Sequence, residues 1–247
     1  MSDIILLLFN MCFPVLAGLE MLLNRKESSQ KELARKALTA MIIAGCFLIL
    51  NVSGKEKSVL LLSIGSELPV YFHMDALGRL LAAVVTVVWT ASICFAGEYM
   101  KKEEDQKRFF GFFLVVYGVL MALCYAGNLV TFYLFYEMMT LTTVPLVLHT
   151  RTREAITAGI KYLLYSLCGA YLVLFGTYVL NRYTTSLNFT PGGTLNLAAV
   201  TGHETLILTA AFLMILGFGV KAGMFPLHGW LATAHPAAPA PASAVLS

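Results

Sequence analysis

Three ionisable residues lie deep inside apolar runs of this sequence: Glu137 in NLVTFYLFYEMMTLTTVPLVLH, Lys161 in ITAGIKYLLYSLCGAYLVLFG and Lys221 in FLMILGFGVKAGMFP. A charge near the centre of a bilayer costs roughly 3 kcal/mol on insertion scales, so residues of this kind are candidates for function by default. A carboxylate and two amines at such depth suit one chemistry above others, the uptake, holding and release of protons or small cations.

Each residue carries its own context. Tyr133, Phe135 and Tyr136 precede Glu137, and Thr140, Thr142 and Thr143 follow it. At helical spacing Glu137 shares a face with Tyr133, Thr140 and Leu141, and Pro145 lies one turn further on. A kinked stripe bearing hydroxyls can be hydrated. The competing reading of Glu137 is a structural ion pair that holds helices together.

Lys161 lies about a turn and a half inside one end of its run, where its amine could snorkel to the headgroups. The alternative is an inward-facing partner on the same ion route, because Gly159, Gly169, Ala170 and Gly176 let that helix approach a neighbour closely. Lys221 has Gly217, Gly219 and Gly223 around it and Pro226 after it, which predicts a broken helix. Broken helices at membrane depth are tolerated where they line a cavity. Desolvation there would make the ammonium readier to give up its proton. Snorkelling is again the competing reading.

His228 and His235 flank the expected break, seven residues apart, and imidazole suits a proton path near neutral pH. A packed, hydrogen-bonded histidine explains them nearly as well. His149 closes the fifth run, where a cation at a helix C-terminus is favourable. His73 and His203 fall in loops as solvated side chains, and Glu20 and Glu98 sit near run ends. The five cysteines (Cys12, Cys46, Cys94, Cys124, Cys168) stand singly in apolar runs, with no Cys-x-x-Cys pair and no Cys/His cluster. The expectation is no metal, no disulfide and no redox cofactor in this chain.

The elements that must position these groups are membrane spans. The composition is 58% hydrophobic and 13% charged, where a soluble domain carries about a quarter charged residues. Seven runs approach or reach the roughly twenty residues a span requires: 4–23, 37–53, 76–99, 109–126, 129–149, 156–180 and 205–225, the second being short. The first lacks the basic flank of a signal peptide and is taken as a span. SVLLLSIGSELPVYFHMD reads as extended, Asp75 as the N-cap of the third span, and 181–202 as a polar loop. The whole chain reads as a single membrane domain. Its net charge of +3 is small and held in short loops, which argues against a nucleic-acid partner.

Arg25, Lys26, Lys31, Arg35, Lys36, Lys101, Lys102, Lys107, Arg108, Arg151 and Arg153 follow spans one, three and five, against Lys55, Lys57, Arg182 and Arg79 on the other side. That bias sets the N-terminus outside a cell membrane, with the fifth span running inward.

With these residues in hand a resemblance is visible. KAGMFPLHGWLATAHPAAPAPASAVLS resembles the motif after the seventh helix of the antiporter-like family, which comprises the ion-translocating subunits of respiratory complex I, Mrp-type antiporters and membrane-bound hydrogenases. FYEMMTLTTVPLVL is similar to that family's fifth helix, ITAGIKYLLYSLCGAYLVLFG to its sixth, and YFHMDALGRLLA to the lead-in to its third. The AHPAAP wording is nearest the hydrogenase and Mrp branches. One departure is that Trp230-Leu231-Ala232-Thr233 stands where the family usually has Trp-Leu-Pro-Asp.

The resemblance implies an all-α membrane fold of seven spans plus the start of an eighth. Residues 1–100 would hold helices one to three, and 101–247 an incomplete first inverted repeat with a broken seventh helix. It also implies pairing of Glu137 with Lys221, Lys161 on the same route, and membrane partners in a hydrogenase, Mrp or complex I-like assembly. Because the chain stops at Ser247 inside the motif, it would be a truncated product, a partial chain or a split subunit, with the second repeat absent. The expected function is translocation of protons, with sodium as a possible exchange ion. The rivals are a secondary transporter of another solute and a structural membrane scaffold.

Overall fold

Helices dominate because every backbone polar group at membrane depth must be satisfied within its own segment. The computed structural model describes residues 2–25, 29–54, 56–64 and 68–246. Among the described residues, seven helices are long and apolar enough to cross a membrane. They are α1 (Ser2–Leu23), α2 (Gln30–Val52), α3 (Ala76–Tyr99), α4 (Gln106–Cys124), α5 (Leu129–Val147), α6 (Arg153–Tyr183) and, after the single turn α7 (Leu197–Val200), α8 (Glu204–Lys221). Two short helices, α9 (Leu231–Ala237) and α10 (Ala240–Leu246), follow the end of α8.

The second span is longer than its apolar run suggests. Ser29 accepts a hydrogen bond from the Glu32 amide and starts α2 seven residues before the run begins. Asp75 caps α3 as expected, its carboxylate accepting from the Gly78 amide at 2.7 Å. The extended stretch before it is an antiparallel hairpin of β1 (Lys57–Ile64) and β2 (Leu68–Met74).

The loops sort onto two sides. The hairpin, the α4–α5 turn and the 184–196 loop hold together through His73 N to Tyr125 O at 2.8 Å, Gly127 N to Tyr71 O at 2.9 Å and Phe189 N to Gly127 O at 3.0 Å. On the other side Gln30 Nε2 donates to Gly97 O, and the α3–α4 turn joins the α5–α6 turn through Asp105 and Arg151, 2.6 Å apart. Seven crossings with this alternation make a multi-pass topology.

α4 is the central post, buried nearly all round by Phe109, Phe110, Phe113, Leu114, Val116 and Tyr117, with α1, α2, α3 and α5 about it. A helix apolar on every face belongs inside a bundle. Its polar neighbours are satisfied internally: Tyr117 OH meets Thr86 at 2.8 Å, Trp89 donates to Phe113 O, and Tyr125 donates to Asn10. A second packing group, from α5, α6, α8, α9 and the turn before α9, is centred on Val147, Ala158, Tyr162, Val220 and Trp230.

Candidate functional site

α5 starts at Asn128, whose side chain accepts from the Thr131 amide and donates to Pro69 O, both at 2.8 Å. From there Tyr136, Thr140, Thr143 and Val147 recur at i, i+4, i+7 and i+11 as the buried stripe. Glu137 is half-buried on the flank of that stripe. Leu141, which helical spacing places on the Glu137 face, turns outward and is 62% exposed.

α6 meets α8 backbone to backbone. A Cβ added at Gly169 would lie 2.7 Å from the Gly217 carbonyl oxygen, so the crossing requires glycine. Tyr162 and Ser166 lie on the same buried stripe of α6, and Tyr162 shares a packing cluster with Val220 at the end of α8. α8 stops at Lys221. Gly223 follows with φ 67°, a left-handed conformation that glycine adopts without steric cost. The amides of Gly223 and Met224 bond back to Val220 O and Gly219 O, and the Trp230 indole donates to Val220 O at 2.7 Å. Carbonyls that lose their helical partners at the break thereby find others. Pro226 then leads into a 3-10 turn at His228–Trp230 and into α9.

The Lys221 ammonium reaches across to α5. It donates to Tyr136 O at 2.8 Å and to Thr140 Oγ1, and lies 4.2 Å from the centre of the Tyr136 ring. The Tyr136 hydroxyl in turn donates to Gly217 O at 3.3 Å. A cavity of about 470 Å³ opens beside Lys221, walled by Val84, Val88, Thr143, Tyr162, Trp230 and Leu246 among others. Glu137 and Lys221 thus lie on facing helices, but the ion pairs among the described residues do not include one between them. One Glu137 carboxylate oxygen, Oε1, is buried without a hydrogen-bond partner from the protein.

The other candidates lie further out. Lys161 lines a groove of about 600 Å³ between α6 and α9 with Arg153, Glu154, Thr157, Thr233 and Pro236. His235 on α9 meets Ser243 Oγ through Nδ1 at 2.9 Å, and its Nε2 is buried without a partner. His228 is exposed and stacks on Phe225. His149, just past α5, has Nε2 3.0 Å from Glu104 O. Burial foremost, and the nearby Arg108 guanidinium, hold its imidazole below the ordinary histidine range.

The geometry brings in two residues that sequence reasoning passed over, Tyr162 and Ser166. Their only signal is spacing, since Tyr162 and Ser166 stand four apart on the glycine-bearing face of α6. The five cysteines are unpaired, and no metal-holding cluster of His, Cys, Asp and Glu occurs among the described residues.

Hydrogenase-4 component B of Escherichia coli (strain K12) is 33% identical over 177 residues, covering 71% of this chain and 26% of that protein. NADH-quinone oxidoreductase subunit N of Desulforudis audaxviator (strain MP104C) is 31% identical over 176 residues, covering 70% of this chain and 34% of that protein. The chain therefore spans about a quarter to a third of the length of these relatives. A subunit chain of the membrane-bound sulfane sulfur reductase, an archaeal respiratory membrane complex, superposes with a TM-score of 0.76. It covers 98% of this chain and 37% of that one, at 24% identity, and shows the fold. The chain is a multi-pass membrane protein. Residues 126–247 match the family described as NADH:quinone oxidoreductase/Mrp antiporter, TM. Through those residues, which hold Glu137, Lys161 and Lys221, the chain belongs to the NADH:quinone oxidoreductase/Mrp antiporter transmembrane family.

Proposed function

We propose that this chain supplies an ion-translocating site to a multisubunit membrane complex of the hydrogenase, Mrp or complex I-like kind, and that the ion moved is the proton, with sodium as a possible exchange partner. In this reading 1–247 is a single membrane domain, with 101–247 forming part of an inverted repeat, in a cell membrane with the N-terminus outside. The observation that carries it is the Lys221 ammonium docked on Tyr136 O and Thr140 at a broken helix, beside a half-buried carboxylate it does not touch. An amine with a nearby counter-charge and a second, uncharged dock has two positions for one proton carrier. In contact with Glu137 the ammonium is held charged. Drawn away from it, the ammonium keeps only dipoles and an aromatic face and gives up its proton more readily. Lys161, His149, His228 and His235 are candidates for the remainder of the route, with His228 the most exposed of them.

The test uses membrane vesicles energised through the assembled complex. Glu137→Gln and Lys221→Ala are each expected to assemble normally and to lose most proton movement. Full transport in both variants would overturn the reading. Failed assembly of either, with transport intact in whatever complex forms, would favour a structural scaffold.

A further inference from the structure

Away from Lys221, the ends of α1 and α2 nearest their connecting loop part around a groove of about 340 Å³. Phe13, Ala17 and Glu20 line it from α1, and Arg35, Thr39 and Ile43 from α2, over Leu114 of α4 as its floor. The parting has a cause in packing. A Cβ added at Gly18 would lie 2.5 Å from Gly111 O, so α1 is drawn hard against α4 and away from α2. The small side chains of Ala17 and Ala40 do not refill the space. One end is shut, because the Phe9 ring lies 4.1 Å from that of Phe47 on α2 and 4.9 Å from that of Phe13.

The open end is polar. Glu20 stands in the last turn but one of α1, and Arg35 and Lys36 precede the apolar part of α2. Lys36 is engaged by Glu32 of its own helix at 3.0 Å. Glu20 accepts a hydrogen bond from the neutral amide of Asn24 at 3.0 Å. Among the described residues no ion pair joins Glu20 to Arg35. The mouth therefore presents one cation and one anion on facing helices, and below them the walls are apolar for roughly 10 Å, two turns of helix. Leu16, Leu19, Leu23 and Ile42 are exposed on the same two helices, so the flanks of the groove meet hydrocarbon rather than water. Basic pockets between spanning helices at the membrane surface hold lipid headgroups. A carboxylate in the mouth narrows the choice to a headgroup that carries both signs.

We propose that this groove binds an aminophospholipid of the phosphatidylethanolamine type. Its phosphate sits on Arg35, its ammonium on Glu20, and one acyl chain runs past Ala17 and Thr39 toward Ile43 and Phe13. The ammonium donates N–H bonds to the carboxylate, and charge-assisted bonds of this kind are about twice as strong as neutral ones. Phosphatidylcholine has the same charges but no N–H to donate. Phosphatidylglycerol brings a phosphate for Arg35 and no cation for Glu20, so two anions face each other. The site uses none of the residues around Lys221, and it stands whether or not this chain moves ions.

The test is native mass spectrometry of the full chain, purified in detergent and mixed with equal amounts of dioleoyl phosphatidylethanolamine, phosphatidylglycerol and phosphatidylcholine. It reads which lipid remains on the singly bound protein. In the wild type the phosphatidylethanolamine adduct is expected to dominate, and Arg35→Gln is expected to reduce it roughly tenfold. Glu20→Gln is expected to keep a bound lipid but to lose the preference over phosphatidylcholine. Thr39→Trp leaves both charges in place and fills the groove, and is expected to lose the adduct. Glu20, Arg35 and Thr39 are all exposed, so these changes leave the packed core alone. Dominance of phosphatidylglycerol, or equal adducts of the three lipids, in the wild type would overturn the proposal. So would an unaltered preference in Glu20→Gln, or an undiminished adduct in Thr39→Trp, which would put the lipid elsewhere on the protein.

Discussion

Lys221 gives its ammonium to the hydroxyl of Thr140 and the carbonyl of Tyr136, while Glu137, which lies between those two in the chain, is left out of contact. A contact ion pair at an effective dielectric near 20 is worth about 4 kcal/mol. A hydrogen bond to a charged group contributes about 1.5–3 kcal/mol, and a cation over an aromatic face about 0.5–2 kcal/mol. The two docks are therefore comparable, and a neighbouring charge that contributes a few kcal/mol can move the lysine between them.

The α6–α8 crossing is the structural support of that site. Gly169→Val puts a branched side chain where a single Cβ would already lie 2.7 Å from Gly217 O and 3.0 Å from the Val220 side chain. Overpacking of this kind costs about 1–3 kcal/mol, so thermal unfolding of the purified protein is expected to occur several degrees lower. Because Lys221 follows Val220 directly, transport is expected to fall as well. An unchanged melting temperature would show that the helices are not held this closely.

Stability near neutral pH is expected to depend on His149. Its imidazole titrates below the ordinary histidine value of 6.5 in the fold, from burial first and Arg108 second, against the opposing Glu104 carbonyl and Asp105. The unfolded chain therefore binds the proton first. The associated stability is fully present above about pH 6.5 and is lost as pH falls through that value toward the folded one. Thermal unfolding between pH 7.5 and 5.5 should show a decline that is shallower in His149→Gln. Parallel profiles for the two proteins would remove His149 from the account.

Sidedness can be read with single cysteines in a background lacking the five native ones. Thr190→Cys lies in the 184–196 loop on the hairpin side, and Lys102→Cys on the opposite side. A membrane-impermeant maleimide added to intact cells is expected to label Thr190→Cys, and to reach Lys102→Cys only after permeabilisation. The reverse pattern would place the N-terminus inside.

Much of the scaffold was legible in one dimension. Seven apolar runs are seven spanning helices, because in a membrane the run length and the demand for internal hydrogen bonds leave few alternatives. Asp75 at the head of α3 and the glycines before the break at Lys221 are local signals, each written in a few residues. The start of α2 was less visible, since Gln30–Lys36 is polar and only the Ser29 cap and the turn it begins make it helical.

Partnership could not. Composition and spacing placed an acid and a base on two helices, but whether they touch depends on how α5, α6 and α8 rotate and how closely they pack. The glycine contact at Gly169 and Gly217 sets that distance, and the rotation turns Tyr136, Thr140 and Thr143 inward, with Glu137 on the flank and Leu141 outward. A 100° step along a helix separates a side chain that meets the lysine from one that does not. That angle is a property of packed surfaces rather than of any one segment, which is why the docking of Lys221 on Thr140 emerges only when the helices are assembled.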